Sequence, residues 1–519
     1  MKRNILLLSI ASLLAGQSGA HSQDIFTPGS LLISTSTYEG TAGMITPGVT
    51  VLPVPGGTTK ATADGAFPEV FNNDIPDANF GVTSPIFINQ ITTTGTPVNI
   101  NNPNSLSYVS GNTLAVPTSL VTTSFSSKSE LALNLSTDGT AITFMGYDAP
   151  INTLDTSNTN TPADPGAPAV TTPATYREVV QLNLDGSLEA TTTNAYSTNN
   201  GRAAILANGL YYTAGNGGSL TFTGAETVVP GSVATPSTPG TNVLGEYVFS
   251  GDNDKNGKDN NFRGIAIYNN LLYVSKGSGS KGVDSVYQVG AGSPTATNNV
   301  LATGTGNPIT ILPGLPGSTQ GASLTGTFTP FGIWFANKTT MYVADEGLAA
   351  PNPGTSVTTG SPTILQQAAA DQNAGLEKWT FDGTKWNLDY TLQLGLNLGQ
   401  QYSVAGLASN LDPAAVGLRA LTGQVNGDGT VTLFATTSTL SNLGDVGADS
   451  NQLVSITDTL ADSTLSQASS ESFSTLETAA EGQVIRGVSF APTPEPGSAV
   501  LLLFGGVCAG SFRRRRAAC

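Results

Sequence analysis

Apolar residues come in short runs along the middle of the chain, separated by Asn, Gly, Asp and Thr, and one pattern of runs recurs. From Arg263 an apolar run (Ile265 to Tyr268) meets the pair Asn269-Asn270, and a second run (Leu271 to Val274) ends in Ser275-Lys276. Phe331 opens a similar unit that passes through Asn337-Lys338 and ends at Met341 to Ala344, and Arg202 opens one that turns at Asn208-Gly209. Apolar strand, Asn/Gly turn, apolar strand is the signature of a β-hairpin. Looser versions start at Glu130, with a turn at Thr137 to Thr140, and at Arg419, with a turn at Asn426 to Gly429. Further strand candidates follow the hairpins, at Asp284 to Val289, Gly375 to Phe381 and Trp386 to Leu392.

The unit starts at Glu130, Arg202, Arg263, Phe331, Arg419 and Arg486 are spaced by 72, 61, 68, 88 and 67 residues. Four strands in a repeat of that size describe a β-propeller blade with long loops. Arg486 to Ala491 looks like the first strand of a unit whose partner is missing. Gly29 to Thr35, at the other end, resembles the second strand Asn270 to Lys276. Pairing the two closes a ring and covers two exposed sheet edges. The expectation is an all-β propeller of six blades. Seven remain open because Asn104 to Thr118 and the 88-residue interval each have room for more strands. A β-helix or an array of β-sandwiches is the alternative that uneven spacing allows. Two stretches, Asn152 to Thr175 and Gly347 to Gln372, read as long surface loops from their Thr/Pro/Gly and Gln/Ala composition.

Composition narrows the function. The two cysteines, Cys508 and Cys519, lie at the far C-terminal end, and the one histidine is His21. The body between residues 24 and 492 therefore has no thiol nucleophile, no disulfide and no His for a Ser-His-Asp triad or an ordinary zinc site. Net charge is −16, and without Lys2, Arg3 and Arg513 to Arg516 it is −22. A body that acidic repels phosphate backbones, which argues against nucleic acid as a partner.

The ends carry the most specific signals. Lys2 and Arg3, the apolar run Ile5 to Leu14 and the small residues Ser18-Gly19-Ala20 have the order of a secretory signal peptide, residues 1–20, cleaved after Ala20. At the other end, Pro494-Glu495-Pro496 precedes an apolar segment, 499–512, and then Arg513-Arg514-Arg515-Arg516. Such a segment makes about 21 Å of helix against a hydrocarbon core of about 30 Å, a short membrane span. Residues 494–519 resemble the PEP-CTERM sorting domain. The resemblance implies recognition and cleavage by the membrane enzyme exosortase, and a Gram-negative host that makes extracellular polysaccharide. It also implies a mature protein released to, or tethered at, the cell surface.

Some residues invite a chemical role. Asp252, Asp254, Asn256 and Asp259 alternate around Gly257 like the front of a calcium loop, although Arg263 stands where an EF-hand needs a bidentate Glu; a solvated polar turn is the plainer reading. Asp345 and Glu346 end a strand, and with Asp148 they would supply the carboxylates of a calcium-dependent propeller hydrolase or lactonase acting on sugars or esters. Acidic residues at strand ends also commonly cap turns. The recurring Arg202, Arg263, Arg419 and Arg486 would either ring a channel and bind an anion or pair with strand-end carboxylates. Together these features point to an exported surface or matrix protein, a non-catalytic propeller that binds polysaccharide or surface proteins. The hydrolase is the competing reading.

Overall fold

A computed structural model describes residues 24–38, 82–125, 130–153, 156–164, 174–217, 224–238, 240–247, 258–277, 282–316, 318–319, 328–347, 364–407, 409, 412–440 and 449–494. They form six antiparallel blade sheets and one small two-stranded sheet, in which Thr83–Ser84 pairs antiparallel with Thr123–Ser124. Blade 1 runs outward through Gln483–Phe490, Leu31–Thr37, Ile86–Ile91, Thr113–Ala115 and Val109–Ser110. Blade 2 is Asn134–Leu135, Ala141–Tyr147, Arg177–Asn183 and Leu188–Thr193, and blade 3 is Gly201–Ala207, Leu210–Gly215, Ala225–Val228 and Asn242–Gly245. Blade 4 is Ile265–Tyr268, Leu271–Lys276, Val283–Val289 and Ile309–Ile311, with Ser318–Thr319 also on Val283–Val289. Blade 5 is Pro330–Asn337, Thr340–Asp345, Gly375–Phe381 and Trp386–Leu392. Blade 6 is Ala414–Val425, Thr430–Leu440, Gln452–Thr459 and Ser474–Thr478.

The first strand of each blade touches the first strands of both neighbouring blades, so six inner strands close a ring around a central axis. The chain is a six-bladed β-propeller, which removes the β-helix and sandwich alternatives. Closure follows the expected route: Leu31–Thr37 pairs antiparallel with Gln483–Phe490, from Leu31 opposite Phe490 to Thr37 opposite Gln483. The extra strands at Asn104 to Thr118 are the outer edge of blade 1 and not a seventh blade.

Six apolar cores fill the six gaps between blades, which explains why the strands are apolar on both faces. Successive strand residues point to opposite faces of a sheet. In blade 4, Leu271 and Tyr273 enter the core shared with blade 5, while Leu272 and Val274 enter the core shared with blade 3. Met341 and Val343 face blade 4, and Tyr342 and Ala344 face blade 6. A propeller sheet is buried like a parallel sheet although its strands are antiparallel, so its sequence reads as runs without alternation.

Tight turns set the hairpin registers. Asn208 and Gly209 have φ of 50° and 74°, and Asn269 and Asn270 have 49° and 56°, the left-handed pairs a two-residue hairpin turn needs. Two expectations change. Part of the stretch read as a surface loop, Thr156 to Thr161, is built into the body, with Thr156, Ser157, Thr159 and Thr161 each at most 1% exposed. The Gln/Ala end of the other stretch forms the α-helix Ile364–Ala370, whose Ala368 packs on Val416 and Leu440. Among the described residues no helix is long and apolar enough to cross a membrane, and the segment 499–512 lies outside them.

Candidate functional site: a charged belt at the head of the inner strands

The six unit starts come together at one end of the ring. In four of the six blades, pairing between first and second strands slips at these positions. The register breaks between Gly201 and Ala203, between Pro330 and Ile333, and between Leu418 and Leu421. In blade 1, Ser34 pairs with Gly487 and Thr35 with Ile485, leaving Arg486 as the extra residue. A bulge turns a side chain away from the pleat, and here it releases Arg202, Phe331, Arg419 and Arg486 from alternation. In three blades a glycine follows the anchor so that the next inner strand can approach. A Cβ on Gly264, Gly332 or Gly487 would collide with the carbonyl of Phe331, Arg419 or Leu131 in the following blade. Second-strand hydroxyls then lock neighbours together: Ser34 Oγ donates to Leu131 O at 2.7 Å, Thr143 Oγ1 to Ala204 O at 2.7 Å, and Ser275 Oγ to Phe331 O.

The belt is charged and almost dry. Arg202, Arg263, Arg419 and Arg486 are 4% to 6% exposed, Glu130 is 1% exposed and Glu346 0%. Arg419 binds Glu346 through Nε and Nη2, each 3.0 Å from Oε1. Glu130 accepts from the Tyr147 hydroxyl, from Asn200 Nδ2 at 2.8 Å and from the Ser124 backbone N–H at 3.0 Å. Arg202 donates to Asn261 Oδ1 and to Phe262 O at 2.8 Å, and Arg486 to Phe125 O. Burial pushes the Arg202 guanidinium well below the usual arginine range; the Arg263 charge adds to this and the carboxylates of Glu130 and Glu346 oppose it. Burial likewise lowers Arg263, with Glu346 opposing and Arg419 reinforcing. Glu346, on blade 5, thus bonds blade 6 and acts on blades 3 and 4, which places it centrally. Beside the belt, Lys276 Nζ lies 2.7 Å from Asp284 Oδ1, a buried pair.

The residues singled out from sequence fare differently. Asp345 accepts from the Thr329 N–H at 2.7 Å, the Gly347 N–H at 2.8 Å and the Thr329 hydroxyl, so it caps its own turn. Burial still raises its carboxyl to about 7 against those three donors. Glu346 belongs to Arg419, and Asp148 is exposed, so the three do not form one cation site. Among the described residues no group of three or more His, Cys, Asp or Glu side chains could hold a metal ion. Of the calcium-loop residues, Asp259 is buried in the short 3-10 turn Lys258–Asn260. Asp252, Asp254 and Asn256 lie outside the described residues, as do Ala20, Glu495, Pro496 and Arg513 to Arg516. Two buried arrangements have no sequence signal. Arg177 is enclosed by backbone carbonyls, and Lys378 bonds Asp458 Oδ2 at 2.9 Å beneath Tyr342 and Tyr390.

No family model matches the sequence, and no curated protein matches it. Among solved structures, a crystal structure of a nidogen/laminin complex is similar over 79% of this chain and 97% of that chain, at 11% identity and a TM-score of 0.32. A likeness that slight has no bearing on function.

Proposed function

We propose that this chain is an exported cell-surface or matrix protein whose propeller binds another extracellular component, polysaccharide or a surface protein, without catalysing a reaction. Export uses the signal peptide ending at Ala20, and the PEP-CTERM-like tail is cut by exosortase at or beside Pro494-Glu495-Pro496, with Arg513 to Arg516 held on the cytoplasmic side until then. The observation that carries this reading is where the fold finishes. Ala491 N–H donates to Ser30 O and Thr493 N–H to Gly139 O, both at 2.9 Å, so ring closure is complete one residue before Pro494. At the other end, Ile25 is buried and its N–H donates to Leu184 O at 3.1 Å. Cleavage at both motifs would leave the propeller whole. A binding role also agrees with the bonds around Asp345 and Glu346, which already engage the carboxylates a hydrolase would need.

Intact mass of the protein recovered from the surface of its native host tests the first half, and co-sedimentation with host polysaccharide tests the second. The expected mass begins near His21 and ends near Pro496, with any glycan added. A chain that still carries Arg513 to Arg516 would instead be a permanently tethered protein. A processed protein that associates with neither polysaccharide nor surface proteins would sink the binding role.

A further inference from the structure

Between blades 5 and 6 an amine is held against a carboxyl. Lys378 lies on the strand Gly375–Phe381 of blade 5 and Asp458 on the strand Gln452–Thr459 of blade 6, 80 residues apart in the chain. Lys378 Nζ is 2.9 Å from Asp458 Oδ2, and the two side chains are 1% and 0% exposed. The hydroxyls of Tyr342 and Tyr390 donate to Asp458, one to each carboxyl oxygen. Lys378 Nζ also donates to Thr459 O at 2.8 Å, to Asp462 O at 2.9 Å and to the Tyr390 hydroxyl at 2.9 Å. A second carboxyl completes the group. Glu471 Oε1 accepts the N–H of Thr459, the residue after Asp458, at 2.9 Å, and its Oε2 is buried with no hydrogen-bond partner among the described residues.

A buried ion pair is costly to desolvate, and this one is also arranged for condensation. We infer that Lys378 and Asp458 join as a side-chain amide, with Glu471 carrying the proton. The pair first becomes neutral when one proton passes from Nζ to the carboxylate. The Nζ lone pair then attacks Asp458 Cγ and a C–N bond forms. The Tyr342 and Tyr390 hydroxyls donate to the oxygens on which negative charge collects, as oxyanion donors do. Glu471 takes a proton from Nζ and delivers it to the departing hydroxyl, which leaves as water when the C–O bond breaks. The sum is an ammonium and a carboxylate giving one amide and one water, with no oxidant or other co-reactant. Burial and the neighbouring Asp458 raise the Glu471 carboxyl to about 7, so it can take up and release a proton near neutrality. Groups held in contact react as parts of one molecule, and a site closed to water protects the product from hydrolysis. The body between residues 24 and 492 has no cysteine. The amide would supply the covalent staple that disulfides cannot, closing a loop of 80 residues across a blade boundary whatever the propeller binds.

Mass spectrometry of the purified full chain, unfolded and digested with trypsin, tests the link. The parent digest should contain one branched peptide that carries both Lys378 and Asp458, lighter than its two arms by one water and uncut after Lys378. Lys378→Met should lose the branched peptide. Glu471→Gln, whose amide oxygen can still accept the Thr459 N–H, should fold, leave the two peptides separate and melt below the parent. A parent whose Lys378 and Asp458 peptides are separate overturns the inference. A water lost elsewhere instead, at the Lys276–Asp284 pair or at an Asp-Gly succinimide, overturns it equally. A Glu471→Gln protein linked as fully as the parent overturns the proton-carrying role of Glu471. Should either variant fail to fold, the parent digest decides alone, because an amide survives unfolding.

Discussion

Arg177 shows how much a single buried side chain organises here. Its Nε and Nη2 donate to Asn199 O at 3.0 and 2.8 Å, Nη1 donates to Thr175 O at 2.8 Å, and Nη2 also reaches Ser157 O and Thr159 O at 3.1 and 3.0 Å. Its guanidinium carbon lies 5.2 Å from the centre of the Tyr147 ring, whose hydroxyl binds Glu130. One cation therefore ties the segment Ser157 to Thr159 to the base of blade 2 and supports a carboxylate of the belt. Arg177→Met keeps the bulk but leaves four carbonyls buried without that donor. Thr159 O keeps the Thr198 N–H, but each carbonyl left without a donor costs about 1–3 kcal/mol, so we expect a loss of about 3 kcal/mol or more in urea unfolding, with Arg177→Lys recovering only part. A loss below about 1 kcal/mol would mean that water replaces the guanidinium. None of this was legible in the sequence. A cage of backbone carbonyls leaves no side-chain signature, and the Thr/Asn/Pro stretch around it has the composition of an exposed loop. The belt arginines were legible as positions, because Arg202, Arg263, Arg419 and Arg486 recur at equivalent points. Their convergence was not, because it depends on bulges that a repeat pattern does not encode.

At the scale of the element, the inner hairpins were the most readable part of the chain. Asn-Gly and Asn-Asn turns between apolar runs dictate both strands, and the turns at Asn208-Gly209 and Asn269-Asn270 lie where the pattern puts them. Blade 2 was harder. Its inner strand shrinks to Asn134–Leu135 because Leu131, at φ of 64°, takes the left-handed conformation beside Gly487 of blade 1. The anchor-glycine pairs Arg263-Gly264, Phe331-Gly332 and Arg486-Gly487 give the element scale its own prediction. None of Gly264, Gly332 and Gly487 has a positive φ, so alanine is acceptable to the backbone and only the space is missing. The obstacle in each case is a carbonyl of the next inner strand, which cannot rotate aside. Each glycine-to-alanine change should therefore cost about 2 kcal/mol or more, in the range of overpacked cores. Gly427, in the turn before Thr430–Leu440, has open space around it, and Gly427→Ala should stay within about 0.5 kcal/mol, as surface changes do. Thermal or urea unfolding of the four variants compares them directly. Equal effects at all four positions would show that the inner strands can separate without cost.

At the scale of the whole molecule, buried carboxyls decide how stability depends on pH. Burial raises Glu178 to about 8, with Asp148 adding to the effect, and burial also raises Asp345 and Glu471 to about 7. Burial also raises Glu377 well above the usual carboxylate range, and the charge of Asp345 adds to it. In the unfolded chain these groups ionise near pH 4 to 4.5. Between that value and their folded values, the folded protein binds more protons than the unfolded chain, so stability falls as pH rises through the interval. Their contribution is complete below about pH 4.5 and lost by about pH 8. Asp138 and Asp428 work in the opposite sense. Hydrogen bonds from Ser136 and Thr140 lower the first despite partial burial, and Thr430 lowers the second, so their contribution is present above about pH 4 and lost below it. The two sets together place the maximum of stability on the acidic side of neutral, at about pH 4.5 to 6, with a decline toward pH 8. Glu178 is the group that isolates the effect, because it is 5% exposed, its Oε2 is buried without a hydrogen bond, and it lies outside the belt. Glu178→Gln removes the titration while keeping the shape. The variant should melt several degrees above the parent at pH 8 and differ little from it at pH 5, when both are scanned from pH 5 to 9. A parent protein that melts higher at pH 8 than at pH 5 would mean that these carboxyls ionise freely in the folded state and that the blades are hydrated where the fold makes them dry.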